Sequence, residues 1–153
     1  SMKDEYFDSA KINDLLKFHG INIPQLNRAE AVRYLVGSID LVYQHAGKFY
    51  VADYKSNFLG FSYQDYSAVE LDKCMAQSSY YLQALIYTVA LHRYLKSRLN
   101  NYDMDLHLGG CSYLFLRGMR DGMADGVFNW QPPKDLVLAM DELLGTAQKT
   151  SLN

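Results

Sequence analysis

The chain has 153 residues, a length suited to one domain. Hydrophobic residues make up 49% and charged residues 21%, which excludes a disordered tail. With 15 Lys and Arg against 17 Asp and Glu, the formal charge is −2. The chain therefore lacks the basic footprint of a stand-alone nucleic-acid binder, and contact with nucleic acid would need a local patch or a larger assembly.

Cys74 and Cys111 stand far apart, with no Cys-x-x-Cys and no Cys/His pair at zinc spacing. A disulfide framework and a structural zinc are excluded, and two reduced core cysteines suit a cytoplasmic location. Residues 74–91 carry no formal charge, but Gln77, Ser78, Ser79, Gln83 and Thr88 interrupt the run. It reads as a buried helix, not a membrane span. Ser1-Met2 reads as the remnant of a cleaved tag, leaving residues 3–153 as one domain.

In chain order, residues 4–8 are expected as a short strand and Lys11 to His19 as a helix ended by Gly20. Ile21 to Asn27, with Pro24, is a loop. Ala31 to Gln44, rich in Val, Ile, Leu and Tyr, predicts a strand kinked at Gly37. His45 to Lys48 is a turn and Phe49 to Lys55 a second strand, together a hairpin. A loop over 56–67 leads to one helix, from Ala68 or after Cys74 to about Leu99, apolar on every side in its middle. Gly109 to Leu116 and Val127 to Trp130 are strands flanking a glycine-rich surface loop. Pro132-Pro133 precedes a last helix, 134–147. The order predicts an α/β fold, a mixed sheet flanked by helices.

The hairpin carries the chemistry. A turn centred on Ala46-Gly47 sets Gln44 against Phe49, Val42 against Val51 and Asp40 against Asp53. Lys55 lies on the same face of its strand as Asp53. Directly opposed like charges destabilise, and the apolar neighbours predict burial, which raises the cost. A shared proton would relieve the pair, as would a hard divalent cation such as Mg²⁺. The adjacent lysine favours the cation, since both could stabilise charge developing on a phosphate attacked by water. Spacing alone equally accommodates two solvated edge carboxylates with Lys55 as a surface partner.

The series Gly37-Ser38-Ile39-Asp40, Asp53-Tyr54-Lys55 and Gln83-Ala84-Leu85-Ile86-Tyr87 resembles the G-x-x-D, D-x-K and Q-x-x-x-Y motifs of PD-(D/E)XK nucleases of the RecB branch. The blocks GSIDLVYQHAGKFYVADYKSNFLG, YYLQALIYTVALHRYL and GGCSYLFLRGM extend the resemblance from about Glu5 to about Leu144. They are similar to the C-terminal nuclease domain of that family, the beta subunits of bacterial exodeoxyribonuclease V. The resemblance implies a restriction-endonuclease-like fold and Mg²⁺-dependent hydrolysis of DNA phosphodiester bonds by an exodeoxyribonuclease. Asp40, Asp53 and Lys55 would be catalytic. Asp40, Asp53, the backbone carbonyl of Tyr54 and, further upstream, Glu5 would hold the metal. Gln83, Tyr87 and Tyr80 would support the site or contact DNA, core packing being the alternative for the two tyrosines. Arg117 would meet a phosphate or fix its loop, and His107 reads as structural.

The family's metal-binding His upstream of the first strand has no counterpart: His19 follows the wrong element and His45 lies at the hairpin turn. The chain thus reads as an N-terminally truncated fragment of a longer helicase–nuclease chain, with weak metal binding or poor cleavage expected. The implied partners are DNA, the other subunits of the exodeoxyribonuclease V complex and the recombinase RecA, in double-strand-break repair and recombination. No membrane is involved. The alternative is a non-catalytic module of the same fold that guides DNA or docks the recombinase.

Overall fold

The computed structural model describes residues 8–145 and 151–152. The strand expected over 4–8 lies almost wholly outside that range, as do Glu5, Ser1-Met2 and the end of the last helix.

Helix α1, Ser9–Phe18, starts where the Asp8 carboxylate accepts the backbone N–H groups of Ala10 and Lys11. It buries Ile12, Asn13 and Leu16, one face at helical spacing. The chain then departs from expectation. Arg28–Leu35 is a helix, α2, and so takes residues 31–35 from the strand expected over 31–44. Asn27 and Glu30 close a capping box, and Ala31 and Leu35 fall one turn apart on the buried side. This local signal outweighs the strand preference of Val32 and Tyr34. The β segment is therefore shorter: β1, Ser38–Ile39, and β2, Leu41–His45.

Strand β3, Lys48–Lys55, completes the hairpin. The helix expected over 68–99 is two, α3, Ala68–Gln77, and α4, Tyr80–Arg98. Ser79, with φ +58°, adopts the left-handed conformation and breaks the ladder between them. A short helix, α5, Met104–His107, capped by Asp103, was not expected. Strand β4, Leu108–Phe115, β5, Val127–Trp130, and helix α6, Lys134–Leu144, follow as predicted, with α6 ending near Gly145.

The sheet runs β2-β3-β4-β5, with β3 and β4 parallel and the two outer pairs antiparallel. A separate pairing joins β1 to β6, Ser151–Leu152. Helix α4 packs on β3 and β4, and α6 packs on α4 as a second helical layer. Arg93 of α4 bonds the Asp141 carboxylate and backbone carbonyl of α6. The core lies between α4 and the sheet face carrying Val51, Cys111, Tyr113 and Phe115, all buried. The α/β class and the mixed, helix-flanked sheet are as predicted, consistent with a restriction-endonuclease-like fold.

Candidate active site

Ala46 and Gly47, both with positive φ (50° and 82°), form a two-residue turn of the kind that matches strand twist. Such a turn leaves no freedom of register, and Val42 faces Val51 and Gln44 faces Phe49, as predicted. The ladder ends one pair before the aspartates, at Leu41 and Ala52. Asp40 sits in the bend between β1 and β2, and its Oδ2 accepts the backbone N–H of Tyr54 at 3.1 Å. A carboxylate thus takes the place of the strand carbonyl that would have continued the ladder.

Burial divides the pair. Asp53 is 5% exposed, whereas Asp40 is open to solvent, so the expectation of two buried carboxylates holds for one only. The bend carries Asp40 to the sheet edge, while Asp53 points under α4. Burial pushes the Asp53 carboxyl above its usual range; Lys55 opposes the shift and the nearby Asp40 adds to it. The solvated-edge alternative therefore fails for Asp53.

Lys55 Nζ lies 2.7 Å from Asp53 Oδ2. Beyond this ion pair, the buried oxygen has no hydrogen-bond partner among the described residues. The ammonium has further partners. It donates to Gln83 Oε1 at 3.0 Å and sits 4.1 Å from the centre of the Tyr80 ring. Gln83 Oε1 also accepts the Tyr113 hydroxyl at 2.7 Å, and Gln83 Nε2 donates to the Tyr87 hydroxyl at 3.4 Å. The Tyr80 hydroxyl donates to Asn57 Oδ1 at 3.1 Å. Burial, then the charges of Asp53 and Asp40, push the Tyr87 hydroxyl up to about 12.

The predicted residues Asp40, Asp53, Lys55, Gln83, Tyr80 and Tyr87 thus converge on one end of the sheet. Tyr54 contributes a backbone amide to Asp40, with its side chain half-exposed. Two members went unpredicted. Tyr113 pairs with Asp53 across the parallel β3–β4 ladder, a contact that short-range sequence does not encode. Asn57, two residues past Lys55, was within reach of a local reading. Arg117 Nε donates to the Ser56 carbonyl at 2.8 Å and so fixes its loop. His107 Nδ1 accepts the Asp103 backbone N–H at 3.0 Å, a structural contact as expected.

Among the described residues no three His, Cys, Asp or Glu side chains group closely enough to hold a metal by themselves. The donor set nevertheless fits a magnesium ion. That ion keeps several waters and takes only one or two carboxylates, and a buried Asp53 oxygen, ion-paired with Lys55 but without a hydrogen bond, stands beside an exposed Asp40. No described helix is long and apolar enough to cross a membrane.

No family model matches the chain. Curated relatives do. The chain is 46% identical over 138 residues to the RecBCD enzyme subunit RecB of Haemophilus influenzae, a match covering 90% of the chain and 11% of that protein. It is 47% identical over 123 residues to the subunit of that name from Mycolicibacterium smegmatis, covering 72% of the chain and 11% of the relative. To that of Escherichia coli it is 40% identical over 121 residues, or 78% of the chain and 10% of the relative. The chain spans about a tenth of the length of these relatives, and over most of its own length it is homologous to RecB subunits.

Proposed function

We propose that the chain is a divalent-metal-dependent deoxyribonuclease domain that hydrolyses DNA phosphodiester bonds. The observation that carries this reading is the buried Asp53 oxygen without a hydrogen bond, set beside Asp40 and within 2.7 Å of the Lys55 ammonium. A fold that only packs has no use for a buried anion whose ionised form is disfavoured by its surroundings.

Asp40 and Asp53 would hold the cation. The Tyr54 carbonyl and, from the sequence resemblance, Glu5 would add ligands. When bound, Mg²⁺ supplies Lewis-acid polarisation of the phosphate and favours an ionised attacking water. The chain's own part is orientation and charge. Gln83 accepts from both Lys55 and Tyr113, so the ammonium is fixed from behind. From there Lys55 would steady the attacking water or the negative charge that grows on the phosphate oxygens. Asp40 is already oriented by the Tyr54 amide.

The names of the relatives extend the reading. The chain would work beside the other subunits of a RecBCD-type helicase–nuclease complex, on DNA unwound during double-strand-break repair and recombination, with the RecA recombinase as a docking partner. Activity, substrate and partners of the whole complex are part of this proposal.

The test is Asp53→Ala, with cleavage of an unpaired oligonucleotide in Mg²⁺ and a calorimetric Mg²⁺ titration run side by side. Loss of both cleavage and binding heat, with unchanged circular dichroism, is expected. Cleavage at the wild-type rate would overturn the site assignment, and a wild-type chain that binds Mg²⁺ and DNA without cutting would point to a guiding module.

A further inference from the structure

The segment that leaves the site toward solvent displays aromatic rings on a rigid frame. Phe61 is 99% exposed and Phe58 55% exposed, and their rings meet edge to face at 5.0 Å. Exposed apolar rings usually ride on mobile loops, but this loop is pinned throughout. Leu59 N–H donates to the Tyr66 hydroxyl at 3.0 Å, and that buried tyrosine also bonds the Asn57 carbonyl. Ser62 and Asp65 form a capping box, and Arg117 holds the Ser56 carbonyl. The backbone at Gly118 lies so close to the Tyr66 ring that an added Cβ would stand 2.1 Å from it. The backbone that carries the rings is therefore held in advance, which lowers the ordering cost on binding.

Phe58 also forms the wall of a groove of about 370 Å³, whose other lining includes Asn57, Lys73, Gln77 and Ser78. That size falls in the roughly 300–1,000 Å³ range of small-ligand sites. The lining has an aromatic face, two amides able to read a base edge, an ammonium, and the Glu70 carboxylate that pairs with it. Lys73 pairs with Glu70 at 3.2 Å, an exposed ion pair within the groove lining that is weak enough to be exchanged for a phosphate. The groove neighbours the reaction centre through side chains: Asn57, in its lining, bonds the Tyr80 hydroxyl, and the Tyr80 ring lies against Lys55.

We propose that Phe58, Phe61 and this groove form a nucleotide subsite, in which unpaired bases of the strand being cut stack on the two rings while Lys73 meets a backbone phosphate. The subsite favours unpaired over duplex DNA because only unpaired bases offer a face to the rings. This deepens the nuclease reading and rests on it.

The experiment uses oligothymidine carrying a single 2-aminopurine, whose fluorescence falls when it stacks, with Ca²⁺ replacing Mg²⁺ to prevent cutting. Binding is measured for wild type, Phe58→Ala, Phe61→Ala and Phe61→Leu, and for Phe18→Ala as an exposed-ring control on α1. A blunt duplex forms the second arm. The expected result is quenching with wild type and at least about a fivefold loss of affinity for unpaired DNA with each ring removed. Phe61→Leu should resemble Phe61→Ala, and the control and the duplex arm should stay unchanged. Variants that bind unpaired DNA like wild type, an equal loss on duplex, or a wild-type chain that does not quench each overturn the subsite. Because quenching needs no hydrolysis, a subsite that stacks bases in a chain that never cuts would sink the nuclease reading alone.

Discussion

Lys55 neutralises a buried carboxylate and is itself 13% exposed in its side chain. Lys55→Met should therefore cost about 3 kcal/mol in the metal-free chain, because it leaves Asp53 as an uncompensated buried charge. Urea denaturation measures this, and added Mg²⁺ should restore part of the loss by supplying the missing positive charge. A variant as stable as wild type would show that Asp53 is not ionised in the folded chain. Gln83 holds two donors at one oxygen, one of them the fully buried Tyr113 hydroxyl. Gln83→Leu keeps the volume but strands that hydroxyl, at about 1–3 kcal/mol for an unsatisfied buried group. It should also slow cleavage by freeing Lys55. Loss of stability with full activity would mark Gln83 as structural only. The residue types of this site were legible in Asp40, Asp53, Lys55, Gln83 and Tyr87. The split between a buried and an exposed aspartate was not, since it depends on a bend and on the helix that covers one of the two.

At the scale of elements, α4 links the site to the rest of the fold. Its Tyr87 hydroxyl approaches the junction of α2 and β1 so closely that a Cβ on Gly37 would stand 2.9 Å from it. Gly37→Ala should cost about 1–3 kcal/mol, typical of overpacking, and displace the ring from Gln83. A melting temperature equal to wild type would mean that the two elements part easily. Near its other end, α4 buries His92, whose Nδ1 contacts the Tyr102 hydroxyl at 2.7 Å. Burial lowers its pKa below 6.5; Asp141 opposes the shift, while Lys96 and Arg93 add to it. The unfolded chain then binds the proton more readily than the folded one. Stability from this group is complete above pH 6.5 and is lost as pH falls through the folded value. Urea midpoints taken from pH 7.5 down to 5 should fall in wild type and fall less in His92→Gln. Parallel curves would remove His92 as the cause.

For the whole molecule, a formal charge of −2 predicts weak electrostatic capture of DNA. Besides Lys55, whose charge Asp53 balances, the described cations next to the site loop are Lys73, Arg117 and Arg120, the last lying over the Tyr63 ring. At about 0.7 per neutralised phosphate for a single strand, the slope of log affinity against log salt should be near −2. A slope beyond about −5 would reveal a basic surface that these residues do not supply.

The α/β class and the register of the hairpin could be read from the amino-acid order alone. Each rests on short-range rules: hydrophobic periodicity, turn chemistry at Ala46-Gly47, and two-residue alternation along β3. The same rules misled at residues 31–35, where Val and Tyr hid a helix that its capping box announces. Only the tertiary structure brought Tyr113 to Gln83, broke the long helix at Ser79, buried Asp53 but not Asp40, and left Phe58 and Phe61 on an open, pinned loop. Those outcomes depend on which surfaces meet across long stretches of chain, and burial and charge environment exist only once those surfaces have met.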